Sequence, residues 1–322
     1  MRIEAFTEAK DPAHPETNED RIVVLPGRAF AVSDGATDKS GKRHGGLTGG
    51  QIAAATVAET VARLAFDARP APTGTELVER ISRSLRRHYV THDLEAEAEG
   101  DPSARFSASL ALALAVPGGW RFYRIGDSGI RLNGSETLLD ESTLDPVYST
   151  FRAALWHRFV AKGLPIGEVD RRARLRLVEG AAHPSEDASL VAEAGAEAAD
   201  RVVQRFPFLD TREVKRIFER GLARQADYRG LGHPLGYGPL DGWPIADRFI
   251  RIDERPADVV RSIELFSDGY YGVAPGTSVA DWEAWHAVVQ REDPHRIGRF
   301  AATKGSAPTR NADDRSVVIV HL

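Results

Sequence analysis

Four times along this chain a short apolar, strand-like run meets an aspartate, and three of those aspartates are followed at once by Gly or Ser. Ala29-Phe30-Ala31-Val32-Ser33 runs into Asp34-Gly35, Phe122-Tyr123-Arg124-Ile125-Gly126 into Asp127-Ser128, and Ile263-Glu264-Leu265-Phe266-Ser267 into Asp268-Gly269. The fourth is reversed: Asp313-Asp314 leads into Ser316-Val317-Val318-Ile319-Val320. Carboxylates on loops held by a rigid sheet are what a hard divalent cation needs, because Mg²⁺ and Mn²⁺ prefer oxygen ligands from several converging segments. The pattern therefore constrains the fold to one that gathers strand ends, and it speaks first of a metal site.

The remaining composition narrows the alternatives. A chain of 322 residues exceeds the usual single domain, yet one core with an insertion accommodates it. With no cysteine, a disulfide framework, a thiolate zinc site and a Cys nucleophile are excluded together, so a catalytic metal must be held by O or N. A formal net charge of −5 gives no basic footprint, so no nucleic-acid partner is expected. Met1-Arg2-Ile3-Glu4 lacks the apolar stretch of a signal peptide. The longest apolar run, Leu110 to Val116, falls far below the ~20 residues that span a bilayer. The expectation is a soluble, cytoplasmic protein without a membrane partner.

Short β-like runs at Ile3 to Phe6, Arg21 to Leu25 and Arg28 to Val32, separated by turns such as Pro26-Gly27, predict hairpins. Helical spacing follows at Ile52, Val57, Val61 and Leu64, and again from Thr75 to Tyr89. The acidic stretch Glu95 to Ser103 reads as a loop. Ser107 to Val116, the Gly118-Gly119 turn, Trp120 to Ile125 and the turn at Asn133-Gly134 predict an antiparallel sheet. Beyond Asp145-Pro146 the texture is helical: Tyr148 to Ala161, Glu186 to Arg205, and Thr211 to about Gln225 with Asp210 as N-cap and Glu213 completing a capping-box pattern. The glycines from Gly230 to Gly238 follow no strand and open no helix in the order a dinucleotide fingerprint requires, so they read as a turn-rich loop. Strands return at Arg248 to Ile252, Arg261 to Phe266 and Val317 to Val320, with a helix near Trp282 to Val289.

A hairpin joining Asn18-Glu19-Asp20-Arg21 to Asp34-Gly35 would bring its acids within reach of each other. A shared carboxylate can then bridge two cations, and two divalent ions about 3.5–4 Å apart polarise a phosphoryl oxygen and stabilise in-line displacement at phosphorus. That is a route to phosphate-ester hydrolysis without a protein nucleophile.

These residues resemble the metal-dependent PPM protein phosphatases, the type 2C serine/threonine family, in a divergent, bacterial-like form. The resemblance spans most of the chain in the right order: Asn18 to Asp20, Asp34-Gly35, a small-residue strand at Ser107 to Leu110, Gly126 to Ser128, Ser267 to Gly269, and Asp313 to Val317. Each motif alone is weak, since Asp-Gly is chiefly a turn signal; the ordered set is specific. The resemblance implies an α+β fold, a four-layer αββα sandwich of two antiparallel sheets flanked by helices, with two Mg²⁺ or Mn²⁺ ions at one end. It implies that Asp34 bridges both ions, with the Gly35 carbonyl and either Glu19 or Asp20 at one, and Asp268 and Asp313 at the other. Asp127 would serve a third, weaker position. Asp34 and Asp268 are the residues on which catalysis would rest, by a hydroxide bridging the two ions.

Two positions depart from the family pattern. Many relatives carry a histidine after the first Asp-Gly, a candidate acid for the leaving alcohol, where this chain has Ala36; many also carry a phosphate-holding arginine four residues before the NED acid, where it has Pro15. Substitutes are Lys39, Lys42, Arg43 and His44 beyond Asp34, and Lys10 and His14 upstream. Each reads more readily as part of a solvated loop than as a phosphate contact; Arg43 is the best single candidate for phosphate, because a guanidinium clamps bidentately where an ammonium gives only a point charge.

One PPM-like domain is expected over 1–322, with a helical flap-like insertion over 143–242 where the family places its variable flap. Trp156, Phe206, Phe208 and Phe218 there read more readily as the insertion's own core than as a recognition surface. The leading expectation is a phosphatase of phosphoserine and phosphothreonine in proteins, its partner a phosphorylated protein. Two alternatives stand beside it: a phosphatase of a small phosphorylated metabolite, and a catalytically weak pseudophosphatase that serves as a regulatory binding module. Oligomeric state is not legible.

Overall fold

The computed structural model describes residues 1–322 apart from 37–40, 68, 69, 141, 231, 233 and 308. The chain divides into two compact units. A sheet unit comprises Met1–Glu141, Arg229–Val288 and Thr309–Leu322, and a helical unit comprises Ser142–Tyr228 and Val289–Pro308. Among the described residues no helix is long and apolar enough to cross a membrane.

Among the described residues the sheet unit holds ten strands: β1 (Arg2–Glu8), β2 (Arg21–Leu25), β3 (Ala29–Ser33), β4 (Leu110–Val116), β5 (Gly119–Ile125), β6 (Gly129–Leu132), β7 (Glu136–Leu138), β8 (Ile250–Pro256), β9 (Ser262–Phe266) and β10 (Arg315–His321). They form two antiparallel five-stranded sheets, ordered β1-β10-β9-β6-β7 and β2-β3-β4-β5-β8. The mixed α+β class read from the sequence is the one observed. Helices α1 (Gly49–Leu64), α2 (Gly74–Thr91) and the short α3 (Glu95–Gly100) follow β3. The α3 segment replaces the loop read from its acidic composition; Ala98, 1 % exposed, anchors it to the core.

Alternation along the central strands explains the layering. Strand β3 sends Ala29 and Ala31 toward α1 and α2 and Phe30 and Val32 toward the β1-β10-β9-β6-β7 sheet; β4 sends Leu110, Leu112 and Leu114 to the helices and Ala111 and Ala113 to that same sheet. The register pairs Phe30 with Ala113 and Ala31 with Leu112, so each face sets a large side chain beside a small one. A period of two with that complementarity lets large and small side chains interdigitate in both layers. Between the sheets, Phe30 and Phe122 meet Ile263, Leu265, Val318 and Val320. The outer face of the β2-β3-β4-β5-β8 sheet packs on Ile52, Val57 and Val61 of α1 and Leu77, Ile81 and Leu85 of α2. On the other side Val317, Ile319 and Phe266 pack on Trp282 of a later helix, Val279–Glu292. Four layers result: helix, sheet, sheet, helix.

The helical unit contains α4 (Leu144–Ala161), α5 (Ile166–Glu179), α6 (Ala188–Arg205) and α7 (Thr211–Arg220), the later helix Val279–Glu292 being α8. Its core includes Phe151, Leu155, Phe159, Val169, Ala198, Val202, Ile217 and Phe218, with the Phe151 and Phe218 rings stacked at 4.4 Å. Helix α7 stops at Arg220, short of the expected Gln225, because Gly221 turns the backbone to φ +66° and a 3₁₀ segment follows. The N-terminal cap is as expected, with Asp210 Oδ1 accepting from Glu213 N at 2.7 Å.

The insertion differs from the expected 143–242 in two ways. Residues 229–242 pack in the sheet unit, and residues 289–308 join the helical one. The second difference has a local cause. Arg152 is fully buried on α4, and its guanidinium donates to the carbonyls of His295 at 2.8 Å and Arg296 at 3.1 Å and to Asp170 at 2.9 Å. A buried cation needs such acceptors, and a distant segment supplies them.

Candidate metal centre

Every aspartate singled out by the motifs sits at one end of the two sheets. Asp20 immediately precedes β2 and Asp34 immediately follows β3, at the end where Arg21 pairs with Ser33. Asp127 lies between β5 and β6, Asp268 just past β9, and Asp313 just before β10. The β6–β9 and β9–β10 pairings, Gly129 with Phe266 and Val317 with Phe266, bring the last three loops to a common level.

The charges converge on Asp34. Burial raises its carboxyl well above the ordinary range, and Asp20, Asp127 and Asp313 raise it further by repulsion, against a hydrogen bond shared with Asp268. Asp20, 2 % exposed, is pushed up to about 7 by burial; Ser267 and Ser316 oppose the shift by hydrogen bonding, while the charges of Asp314 and Asp268 add to it. Asp34, Asp127 and Asp313 keep partial contact with solvent and Asp268 is exposed, so the group has a buried floor and an open side.

Glu19 and Asp20 part company in the structure. Asp20 faces the acids, with Ser267 Oγ donating to its Oδ2 at 2.8 Å. Glu19 turns the other way: it accepts from Lys10 Nζ at 2.9 Å and from Thr48 Oγ1 at 2.6 Å. Thr48 caps α1 in a reciprocal box with Gln51, whose Nε2 also donates to the Glu16 and Asn18 carbonyls. The start of α1 is thus stitched to the NED segment. Gly35 allows that approach, since a Cβ there would lie 2.4 Å from the Gly50 carbonyl oxygen and 2.7 Å from that of Glu19.

Sequence reasoning missed three residues that build this end. Asp314, the second acid of the Asp-Asp pair, accepts from Lys10 N at 2.6 Å and Glu19 N at 3.1 Å, tying the C-terminal strand to the N-terminal segment. Thr48 and Gln51 carried a visible signal, the Thr-x-x-Gln box ahead of an Ala-rich helix. Of the phosphate candidates, Arg43 is exposed and donates to the Gly46 carbonyl at 2.8 Å, Lys42 pairs with Glu97 at 2.7 Å, and His14 contacts Glu16 at 3.2 Å. The His44 ring packs 4.8 Å from Phe106, and Lys39 lies outside the described residues. Lys10 sits beside the acids, 3.6 Å from Asp314.

Among the described residues no three Asp, Glu, His or Cys side chains close into a finished metal cage. The donor set nonetheless fits a hard cation. It is all oxygen, it is mutually repulsive, and Oδ1 of Asp20 is buried without a hydrogen-bond partner among the described residues.

Residues 15–145 match the sequence model of the family described as Protein phosphatase 2C, so the family resemblance read from the motifs holds over the segment that contains Glu19, Asp20, Asp34 and Asp127. No curated protein matches the chain in sequence. Similar solved structures include the serine/threonine phosphatase PstP/Ppp of Mycobacterium tuberculosis, 16 % identical, with 100 % of this chain and 98 % of that one covered and a TM-score of 0.43. Another is the serine/threonine phosphatase Stp1 of Staphylococcus aureus, 12 % identical, with 100 % and 95 % covered and a TM-score of 0.47. A third is the PstP catalytic domain in complex with 2 manganese ions, 16 % identical, with 99 % and 96 % covered and a TM-score of 0.42.

Proposed function

We propose that this protein is a Mg²⁺- or Mn²⁺-dependent phosphoric monoester hydrolase acting on phosphoserine and phosphothreonine in proteins. The observation that carries the reading is the convergence of Asp20, Asp127, Asp268 and Asp313 on Asp34 at one end of two stacked sheets, a cluster costly to hold together without cations. The match of residues 15–145 to the protein phosphatase 2C family supports it.

Asp34 would be shared by two cations, with Asp20 and the Gly35 carbonyl serving one and Asp268 and Asp313 the other; Asp127 would serve a weaker third. Bound there, divalent cations supply Lewis-acid stabilisation of charge on phosphoryl oxygens and lower the pKa of water. The chain's own residues position the acids. Ser267 and Ser316 orient Asp20, while Lys10 and Asp314 hold the NED segment against the strand that starts after Asp313. Ala36 has no group that moves a proton, so protonation of the leaving alkoxide must come from water or from another residue.

The small-metabolite reading draws on one observation, that Arg43 is engaged with the Gly46 carbonyl while Pro15 and Ala36 stand at the family's helper positions. The experiment is hydrolysis of p-nitrophenyl phosphate with and without Mn²⁺, repeated with Asp34→Asn and Asp268→Asn. Activity that is absent with every divalent ion, or unchanged in both variants, overturns the proposal. A higher kcat/KM on phosphopeptides than on small phosphates supports the protein substrate, and the reverse supports the metabolite.

A further inference from the structure

The helical unit carries 18 Lys and Arg against 15 Asp and Glu, in a chain whose net charge is −5. Most of its surface arginines are neutralised locally: Arg158 by Glu193 and Glu197, Arg171 by Glu168, Arg201 by Glu197, Arg220 and Arg224 by Asp227. Helix α7 is different. Val214, Ile217 and Phe218 face the core, and the opposite face presents Arg212, Lys215 and Arg216, all exposed and without an ion pair among the described residues. With Thr211 and Glu219 they line a surface depression of about 510 Å³.

An aromatic edge precedes these cations in the chain. Leu209, 2 % exposed, anchors the segment between α6 and α7, and Leu209 N donates to the Phe206 carbonyl at 3.0 Å. That fixed turn leaves Phe208 54 % exposed, its ring 5.8 Å from Phe206, which the Arg205 guanidinium covers at 5.1 Å. Of the four aromatics weighed in the sequence, Trp156 and Phe218 belong to the core and the Phe206–Phe208 pair reaches the surface. An exposed aromatic ring followed by three unneutralised cations combines an apolar anchor with a charge match.

We propose that the exposed face of α7, with Phe208, is a docking surface for an acidic segment of the phosphoprotein substrate, carrying an apolar side chain that covers Phe208. This rests on the phosphatase reading for the identity of the partner, and on the helical unit alone for the surface. Three cations over two turns, with Glu219 among them and the whole chain net negative, suit a short acidic peptide better than a polyanionic nucleic acid or membrane.

The test uses the full chain and two phosphoserine peptides with the same core, one with a Glu- and Phe-containing tail and one with a Gln- and Ser-containing tail. In the Arg212→Ala/Lys215→Ala/Arg216→Ala variant, KM for the acidic-tailed peptide should rise about tenfold at low salt with kcat unchanged, three surface charges each contributing modestly. Turnover of the neutral-tailed peptide and of p-nitrophenyl phosphate should stay as in wild type. Phe208→Ala should raise the same KM by a smaller factor. Fluorescence anisotropy of a labelled, unphosphorylated acidic tail reads docking without catalysis. Tail binding by wild type that weakens in the triple variant supports the surface even if no substrate turns over, an outcome that would sink the phosphatase reading alone. Equal wild-type affinity for acidic and neutral tails, unchanged binding in the triple variant, or tighter binding of a labelled single-stranded oligonucleotide or anionic vesicles would overturn the docking surface.

Discussion

Ser267 Oγ donates a 2.8 Å hydrogen bond to Asp20 Oδ2, joining the loop after β9 of one sheet to the residue before β2 of the other. The same oxygen accepts from Ser316 N at 2.9 Å, so one hydroxyl ties three segments of the acidic end together. Removing it should loosen Asp20 without touching the core. Ser267→Ala is expected to weaken Mn²⁺ binding about 10-fold or more, the usual cost of losing an outer hydrogen bond to a ligand, with unchanged far-UV circular dichroism. Calorimetric titration checks it, and wild-type affinity would show that the hydroxyl does not orient the site.

Glu19 and Asp20 are adjacent, yet their environments predict opposite phenotypes. Asp20→Asn should abolish Mn²⁺-dependent phosphate hydrolysis while leaving the fold intact. Glu19→Gln should retain a measurable Mn²⁺ response but lose about 1–3 kcal/mol of stability, because the ammonium of Lys10, only 9 % exposed, gives up its closest charged partner and keeps Asp314 at 3.6 Å. Urea denaturation and a rate assay on both variants separate the roles; exchanged phenotypes would reverse the assignment.

How far the sequence could be read follows from the same pair. The aspartates were legible because each marks the end of a strand whose alternation is visible locally, as Phe30, Val32, Ile263 and Leu265 show. The choice between Glu19 and Asp20 was not, because it depends on Lys10 and Thr48, which approach from other segments. Helix α4 was legible through its apolar density, but the fate of 289–308 was decided by Arg152, whose carbonyl acceptors at His295 and Arg296 lie more than 140 residues away in sequence. Arg43 was chosen for its chemistry; the loop backbone at Gly46 claims its guanidinium.

The carboxylate cluster should cost stability when no cation is bound. Asp34→Asn removes a buried carboxylate on which its neighbours converge, so the metal-free variant should melt higher than metal-free wild type, by about 2–4 °C for each kcal/mol of desolvation and repulsion relieved. Added Mn²⁺ should raise the wild-type transition and leave the variant's nearly unmoved. Thermal melts with and without Mn²⁺ check both. A variant that melts lower than wild type in the absence of metal would show that the acids are not under electrostatic tension.

The helical unit offers a clean pH dependence. Burial alone would raise the carboxyl of Asp187, but hydrogen bonds from Lys162 at 2.6 Å and Arg172 at 2.7 Å outweigh it and hold the group below the ordinary carboxylate range. A depressed pKa means that the unfolded chain binds the proton more readily. The stabilisation is therefore complete above the unfolded value, near 4, and is lost as pH falls through the folded one. Asp187→Asn should lower the urea midpoint at pH 7 and converge with wild type as the pH is taken down toward 3. A difference that is constant with pH would assign the effect to packing.

Two glycines with contrasting surroundings test how tightly α1 is seated on the acidic end. At Gly35 a Cβ would meet the carbonyl oxygens of Gly50 at 2.4 Å and Glu19 at 2.7 Å, both backbone atoms that cannot swing aside. Gly35→Ala must push α1 and the NED segment apart, which should cost about 1–3 kcal/mol and displace Asp34 and Asp20 relative to each other. At Gly167, in the first turn of α5, a Cβ meets nothing within 4 Å, and alanine there should stabilise by about 0.4–1 kcal/mol by restricting the unfolded chain. Urea midpoints for the pair, with Mn²⁺ affinity for each, give the comparison. Gly35→Ala should lose both stability and metal binding, whereas Gly167→Ala should keep wild-type affinity. A Gly35→Ala protein that binds Mn²⁺ as tightly as wild type would show that the approach of α1 does not set the geometry of the acids.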